Sequence, residues 1–186
     1  MKWVTRQNAK VDRIACPWLI RKLIDPGAEF LYVPADEVLA TADREGGLSY
    51  DAPGARFTHR DGKCTFEVLI EEHGLGGDPA LDRLARLVHA ADVSADVATV
   101  PEGAGLKAVA EGFALLVPDD HEKLERELPV YDALYAWCRA KAGAGAGAAS
   151  TRPAAATPLQ QVGPDEGGAG GDPRGSAPAT RRSGRR

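Results

Sequence analysis

With 186 residues, 44% of them hydrophobic and 27% charged, the chain is long enough for one ordinary soluble domain, and no apolar run approaches the roughly 18–20 residues of a membrane span. The net charge of −4 hides an asymmetry, since residues 1–141 carry 17 basic against 24 acidic side chains while 142–186 carry six Arg against three acids; an acidic folded part excludes broad nucleic-acid binding. The first residues lack the apolar core of a signal peptide, and Cys16, Cys64 and Cys138 include no CxxC pair, so a cytoplasmic location with free or metal-ligating thiols is expected.

Trp3–Arg6 reads as a short strand. In Val11–Ile24, Pro17 suits the first position of a helix, which puts Cys16 at or beside the N-cap. Trp18, Leu19 and Leu23 continue the apolar stripe, which Asp25-Pro26-Gly27 ends. A thiol at that place feels the helix dipole and free N–H groups, both of which favour the thiolate. Cys16 is therefore a candidate redox thiol, and Arg13, Cys16 and Arg21 a candidate seat for an oxyanion. The competing expectation is a buried Cys that covers a helix start.

Glu29–Val33, rich in aromatic and β-branched residues between Gly27 and Pro34, is the strongest strand signal. A helix over 35–44 closes at Gly46-Gly47, and two short strands, 48–50 and 56–59, flank the turn signal Asp51-Ala52-Pro53-Gly54. Helices are expected from about Thr65 to His73, capped by Gly74, from Asp78-Pro79 through Ala91, and from Glu102 to Val117. A last helix starts at Asp119 and runs to about Lys141, with Pro129 expected to kink or split it. Residues 142–186 hold only Leu159 and Val162 as sizeable apolar groups, too little burial to offset ordering entropy, and are expected to be disordered. The fold class is then α+β: one helix-rich domain over 1–141 with a small β-sheet.

The histidines keep chemically useful company. His59 lies five residues before Cys64 and eight before Glu67, His89 and Asp92 are three apart on one helix, and His121 follows Asp119-Asp120. Imidazole and carboxylate suit borderline-to-hard ions. His59, Glu67, His89, Asp92 and His121, with or without Cys64, are thus candidate ligands for one divalent transition metal: iron, manganese or zinc. Against this stands a His that only hydrogen-bonds beside a core, and Asp residues that only cap a helix.

Lys2–Arg6, Val11–Arg21, Ala28–Pro34, His59 with Cys64-Thr65-Phe66, His89-Ala90-Ala91-Asp92, Asp119-Asp120-His121 and Tyr131–Tyr135 together resemble the chromate-resistance protein family, the domain that forms the C-terminal half of ChrB-type chromate-responsive regulators. The likeness spans about residues 2–140. It implies a sensor or accessory role in the cytosolic chromate response, with chromate or a similar oxyanion as ligand; the alternative is a metal- or thiol-dependent redox enzyme acting on chromate or reactive oxygen species. In the regulators a DNA-binding segment precedes this domain, and here the motifs begin at residue 2, so specific DNA binding by this chain alone is not expected. A homo-oligomer or a regulatory protein partner is the expected route of action.

Overall fold

A computed structural model describes residues 1–149, with side chains through Gly143. Three parallel strands, β1 (Lys2–Arg6), β2 (Glu29–Val33) and β3 (Leu48–Ser49), form a sheet in the order β2-β1-β3, with Trp3 opposite both Phe30 and Leu48. Successive side chains on a strand point to opposite faces. Trp3, Phe30 and Tyr32 accordingly enter the main core, whereas Val4, Leu31 and Val33 meet a smaller cluster with Val38, Ala42, Ala52 and Ala55. The latter lies under α2 (Val38–Glu45), which follows a short 3-10 turn at Ala35–Glu37 and ends on Gly46 in the left-handed conformation. Arg56–His59 is not a strand; Phe57 makes a single bridge to Tyr50.

The other helices gather on the far face: α1 (Val11–Leu19), α3 (Thr65–Glu72), α4 (Pro79–Asp92), α5 (Pro101–Leu116) and α6 (Asp120–Ala149). The result is the expected α+β domain. Asp78 caps α4, its side chain accepting from the N–H groups of Ala80 and Leu81. Helix α6 is continuous through Pro129, so the expected split does not occur. It also runs on to Ala149, past the expected end near Lys141; of the tail 142–186 expected to be disordered, residues 150–186 lie outside the described residues.

The main correction concerns α1. It starts at Val11, six residues before Pro17, which sits inside the helix. A proline there cannot donate to the carbonyl four residues back, which is that of Arg13. The Tyr32 hydroxyl donates to that carbonyl instead, at 3.3 Å. After Pro17 the chain widens into a π-helical turn over Ile20–Ile24, a common accommodation of a disrupted ladder.

Candidate metal centre

Three elements and two loops meet at the N-terminal end of α1. Asp12, in its first turn, is buried at 1% exposure, and its Oδ2 accepts from the Thr65 N–H at the start of α3, at 2.7 Å. Asp51 follows β3 in a left-handed backbone conformation with φ of +44°, uncommon outside Gly, Asn and Asp. Several groups hold it there. Arg6 Nε donates to the Asp51 carbonyl at 2.8 Å, Arg13 Nη1 to its Oδ2 at 2.9 Å, and Thr65 Oγ1 to its Oδ1 at 3.1 Å. Asp92 arrives from the last turn of α4.

His59 projects from the loop before α3 into this group of acids. Its Nε2 lies 3.3 Å from Asp12 Oδ2, 3.2 Å from Asp92 Oδ2 and 3.5 Å from Asp51 Oδ1. Hydrogen bonds to Asp12 and Asp51 hold its pKa up at about 10. Burial pushes Asp92 up to about 6, helped by the charges of Asp12 and Asp51. Asp12 is also raised by burial, only partly relieved by its bond to His59. Burial pushes Asp51 the same way, but the His59 bond and the nearby Arg13 and Arg6 outweigh it, leaving Asp51 below the usual carboxylate range. One buried oxygen, Asp12 Oδ1, has no partner. The outer side of His59 is open, for its side chain is 43% exposed and borders a cleft of about 230 Å³ with Arg6, Thr58 and Pro53.

Of the residues expected at one metal site, His59 and Asp92 come together, joined by Asp12, which spacing alone did not suggest. Glu67 and His89 form a separate group with Cys64, around the first turn of α3. His89 Nδ1 pairs with Glu67 Oε2 at 2.6 Å and Nε2 with Asp96 Oδ2 at 3.1 Å. Burial presses the His89 pKa down, but Glu67 and Asp96 more than compensate and it ends raised. His121 joins neither group. It sits at the start of α6 with its ring edge-on to Tyr32, centroids 5.2 Å apart. The single five-residue site is therefore corrected to two groups and an outlier.

The expected helix-start seat for an oxyanion is likewise corrected. Because α1 begins at Val11, Cys16 is an interior helical residue with no exposure, and burial followed by the charge of Asp12 pushes its thiol well above the usual range. Arg13 is engaged by Asp51 and by the Asn8 carbonyl, and Arg21 by Glu125 at 2.6 Å. The apolar positions Val11, Ile14, Ala15, Trp18 and Leu19 already repeat at helical spacing, and that pattern was the signal for the earlier start. Asp12 then stands out as a carboxylate among buried helix positions, where a charge must find a partner.

Comparison with known proteins decides the family. The ChrB C-terminal domain profile matches residues 3–138. The chain belongs to that family, the chromate-resistance family its motifs resemble. It is 40% identical over 134 residues to Protein ChrB of Cupriavidus metallidurans, a match covering 72% of this chain and 40% of the relative's length. No solved structure matches it. Among the described residues no helix is long and apolar enough to cross a membrane.

Proposed function

We infer that this domain serves the chromate response as a sensing or accessory module that holds one divalent transition-metal ion between Asp12, His59 and Asp92. One observation carries the reading. The two carboxylate oxygens stand 3.3 and 3.2 Å from His59 Nε2, and ligands bonded at about 2.0–2.2 Å to a common ion are set roughly 3.0–3.5 Å apart. Both spacings are compatible with one shared ion in place of the ion pairs now formed there. Mixed carboxylate and imidazole donors suit iron, manganese or zinc. The unpartnered Asp12 Oδ1 is a further buried donor at the same place, and the Thr65 N–H bond fixes the orientation of its carboxylate.

Such an ion has an open side toward the cleft beside His59 and Arg6. A tetrahedral oxyanion such as chromate is the ligand it would take there. The oxyanion part of the function then rests on a bound cation rather than on Cys16, Arg13 and Arg21. The reading is cytoplasmic, and the module passes its signal to a partner protein or a second copy. The same open side supports a second reading, a metal-dependent redox enzyme acting on chromate or reactive oxygen species. Steady-state turnover of chromate with a physiological reductant supports the enzyme, and stoichiometric binding without turnover supports the sensor.

The test is elemental analysis and metal titration of protein purified without chelator. Near-stoichiometric iron, manganese or zinc is expected, with affinity reduced more than about tenfold in His59→Ala and Asp92→Asn. Bound metal must displace the His59 proton, so binding is expected to release protons into weakly buffered solution and to tighten as pH rises. Metal-free protein that binds none of these ions on titration overturns the reading.

A further inference from the structure

We propose that Cys64, Glu67 and His89 form a second cation site, distinct in its donors from the first and suited to a thiophilic divalent ion of the zinc class. The proposal does not depend on the first site being filled. One donor atom from each residue lies within 4.8 Å of the other two. Cys64 is fully buried at the head of α3, and Glu67 and His89 are partly buried, from the first turn of α3 and the last turns of α4. Three donors held by two packed helices form a preset half-cage.

Bonds of about 2.0 Å to nitrogen or oxygen and 2.3 Å to sulfur place tetrahedral ligands roughly 3.3–3.6 Å apart. The present 2.6 Å contact between Glu67 and His89 must therefore open by somewhat under about 1 Å. Rotation of the two side chains supplies that without moving either helix. Glu67 Oε2 already accepts from the Cys64 N–H at 2.9 Å, which holds the carboxylate beside the thiol.

The surroundings of His89 are the second observation. With Nδ1 on Glu67, Nε2–H is left to donate to Asp96 Oδ2 at 3.1 Å. A carboxylate on the far nitrogen of an imidazole fixes its tautomer and ring orientation and makes the near nitrogen a better ligand. Asp96 is a positioning residue in that sense, and it lies on the separate 3-10 turn after α4. A cleft of about 320 Å³ lined by Glu67, Lys63, Asp82 and Arg86 borders the carboxylate side of the group.

Thiolate is the soft donor that the Asp12 group lacks, so the two sites select different ions. Binding here displaces the thiol proton, and the Nδ1 proton where His89 carries one, to solvent and changes no oxidation state. The difference in donors also gives the test its own readout, since only a site containing sulfur produces thiolate-to-metal charge transfer.

Chelator-stripped protein is titrated with Co²⁺ and followed in the near ultraviolet. A thiolate-to-cobalt charge-transfer band is expected, saturating at one equivalent of thiolate-bound ion and discharged by Zn²⁺. Cys64→Ser should abolish the band, and Cys138→Ser and Asp12→Asn should leave it. His89→Ala should weaken the Co²⁺ affinity read from the band by more than tenfold, and Asp96→Asn by about tenfold. No band at saturating Co²⁺, or a band that survives Cys64→Ser, overturns the site. Should the Cys64 variant fail to fold by circular dichroism, His89→Ala decides, because unchanged affinity there is equally fatal. Loss of metal from the first site alone leaves the band intact, so failure of one site is distinguishable from failure of the other.

Discussion

Helices α1 and α6 carry the same two irregularities, an interior proline and a buried carboxylate, and treat them oppositely. In α1 the carbonyl that Pro17 leaves free accepts from Tyr32, and Asp12 accepts from Thr65 N–H and faces His59. In α6, Pro129 is exposed, so water can serve the carbonyl it frees, but Glu127 is buried at 1% exposure with neither oxygen bonded. Burial pushes its pKa up to about 7, opposed by the charge of Lys123. Both carboxylates bear the cost of leaving water. Only Asp12 is surrounded by groups that use its charge, which separates a built site from a buried acid whose ionisation is delayed to about pH 7.

The largest expected effect breaks the α1 side of that comparison. Asp12→Ala leaves the Thr65 N–H without a buried acceptor and takes one carboxylate from His59, while relieving repulsion with Asp51 and Asp92. A net loss of about 2–3 kcal/mol is expected in urea unfolding, together with loss of metal at that site. A variant as stable as the parent would mean that the cluster contributes nothing to holding α1 against α3.

On the α6 side the effect is smaller and depends on pH. The folded-state pKa of Glu127 is raised to about 7 from an ordinary 4.5, so the folded protein holds a proton that the unfolded chain has released between those values. Stability from this group is therefore greatest below about pH 4.5 and falls as pH rises through 7. Glu127→Gln stays neutral throughout. It should match the parent near pH 5 and exceed it by about 1–2 kcal/mol at pH 8, a figure discounted for residual solvent. Equal urea midpoints for the two proteins at pH 8 would show that Glu127 ionises freely.

Next in size is Tyr32→Phe, which deletes the donor to the Arg13 carbonyl while keeping the ring against His121. About 1 kcal/mol should be lost, the usual consequence of orphaning a partly buried carbonyl. In a Pro17→Ala background the helix can supply its own N–H to that carbonyl. The Tyr32→Phe penalty should then shrink, and an unchanged penalty would detach the tyrosine from the proline.

The same contrast explains what the sequence disclosed. Strand β2, the Asp78 cap with Pro79, and the Gly46 and Gly74 turns follow from local chemistry, and each stands where its residues indicated. The start of α1 did not, because Pro17 is a strong local signal for a helix start and its tolerance inside a helix depends on Tyr32, fifteen residues away on β2. At the site, His59 with Asp92 and Glu67 with His89 were legible as chemistry but not as partners. Asp51 read only as a turn residue, because its role depends on Arg6, Arg13 and Thr65. Long-range pairing decided every one of these cases.

The smallest expected effect is an absence of reaction, and it concerns the thiol one turn along α1 from Asp12. At the helix start first expected of it, Cys16 would outpace the other cysteines with iodoacetamide near neutral pH. Inside the helix it has no exposure, and burial followed by the charge of Asp12 holds it protonated. Cys64 and Cys138 are buried as well, both with thiols pushed up chiefly by burial. With no thiolate favoured and no access for the reagent, the native protein should label slowly at all three positions. Labelling should accelerate only across the urea transition, at the midpoint found by circular dichroism. A fast single-site modification of Cys16 in the native state, located by mass spectrometry, would mean that α1 opens near Pro17 far more readily than its Tyr32 bond and packing allow. It would also return the thiol to consideration as a redox group.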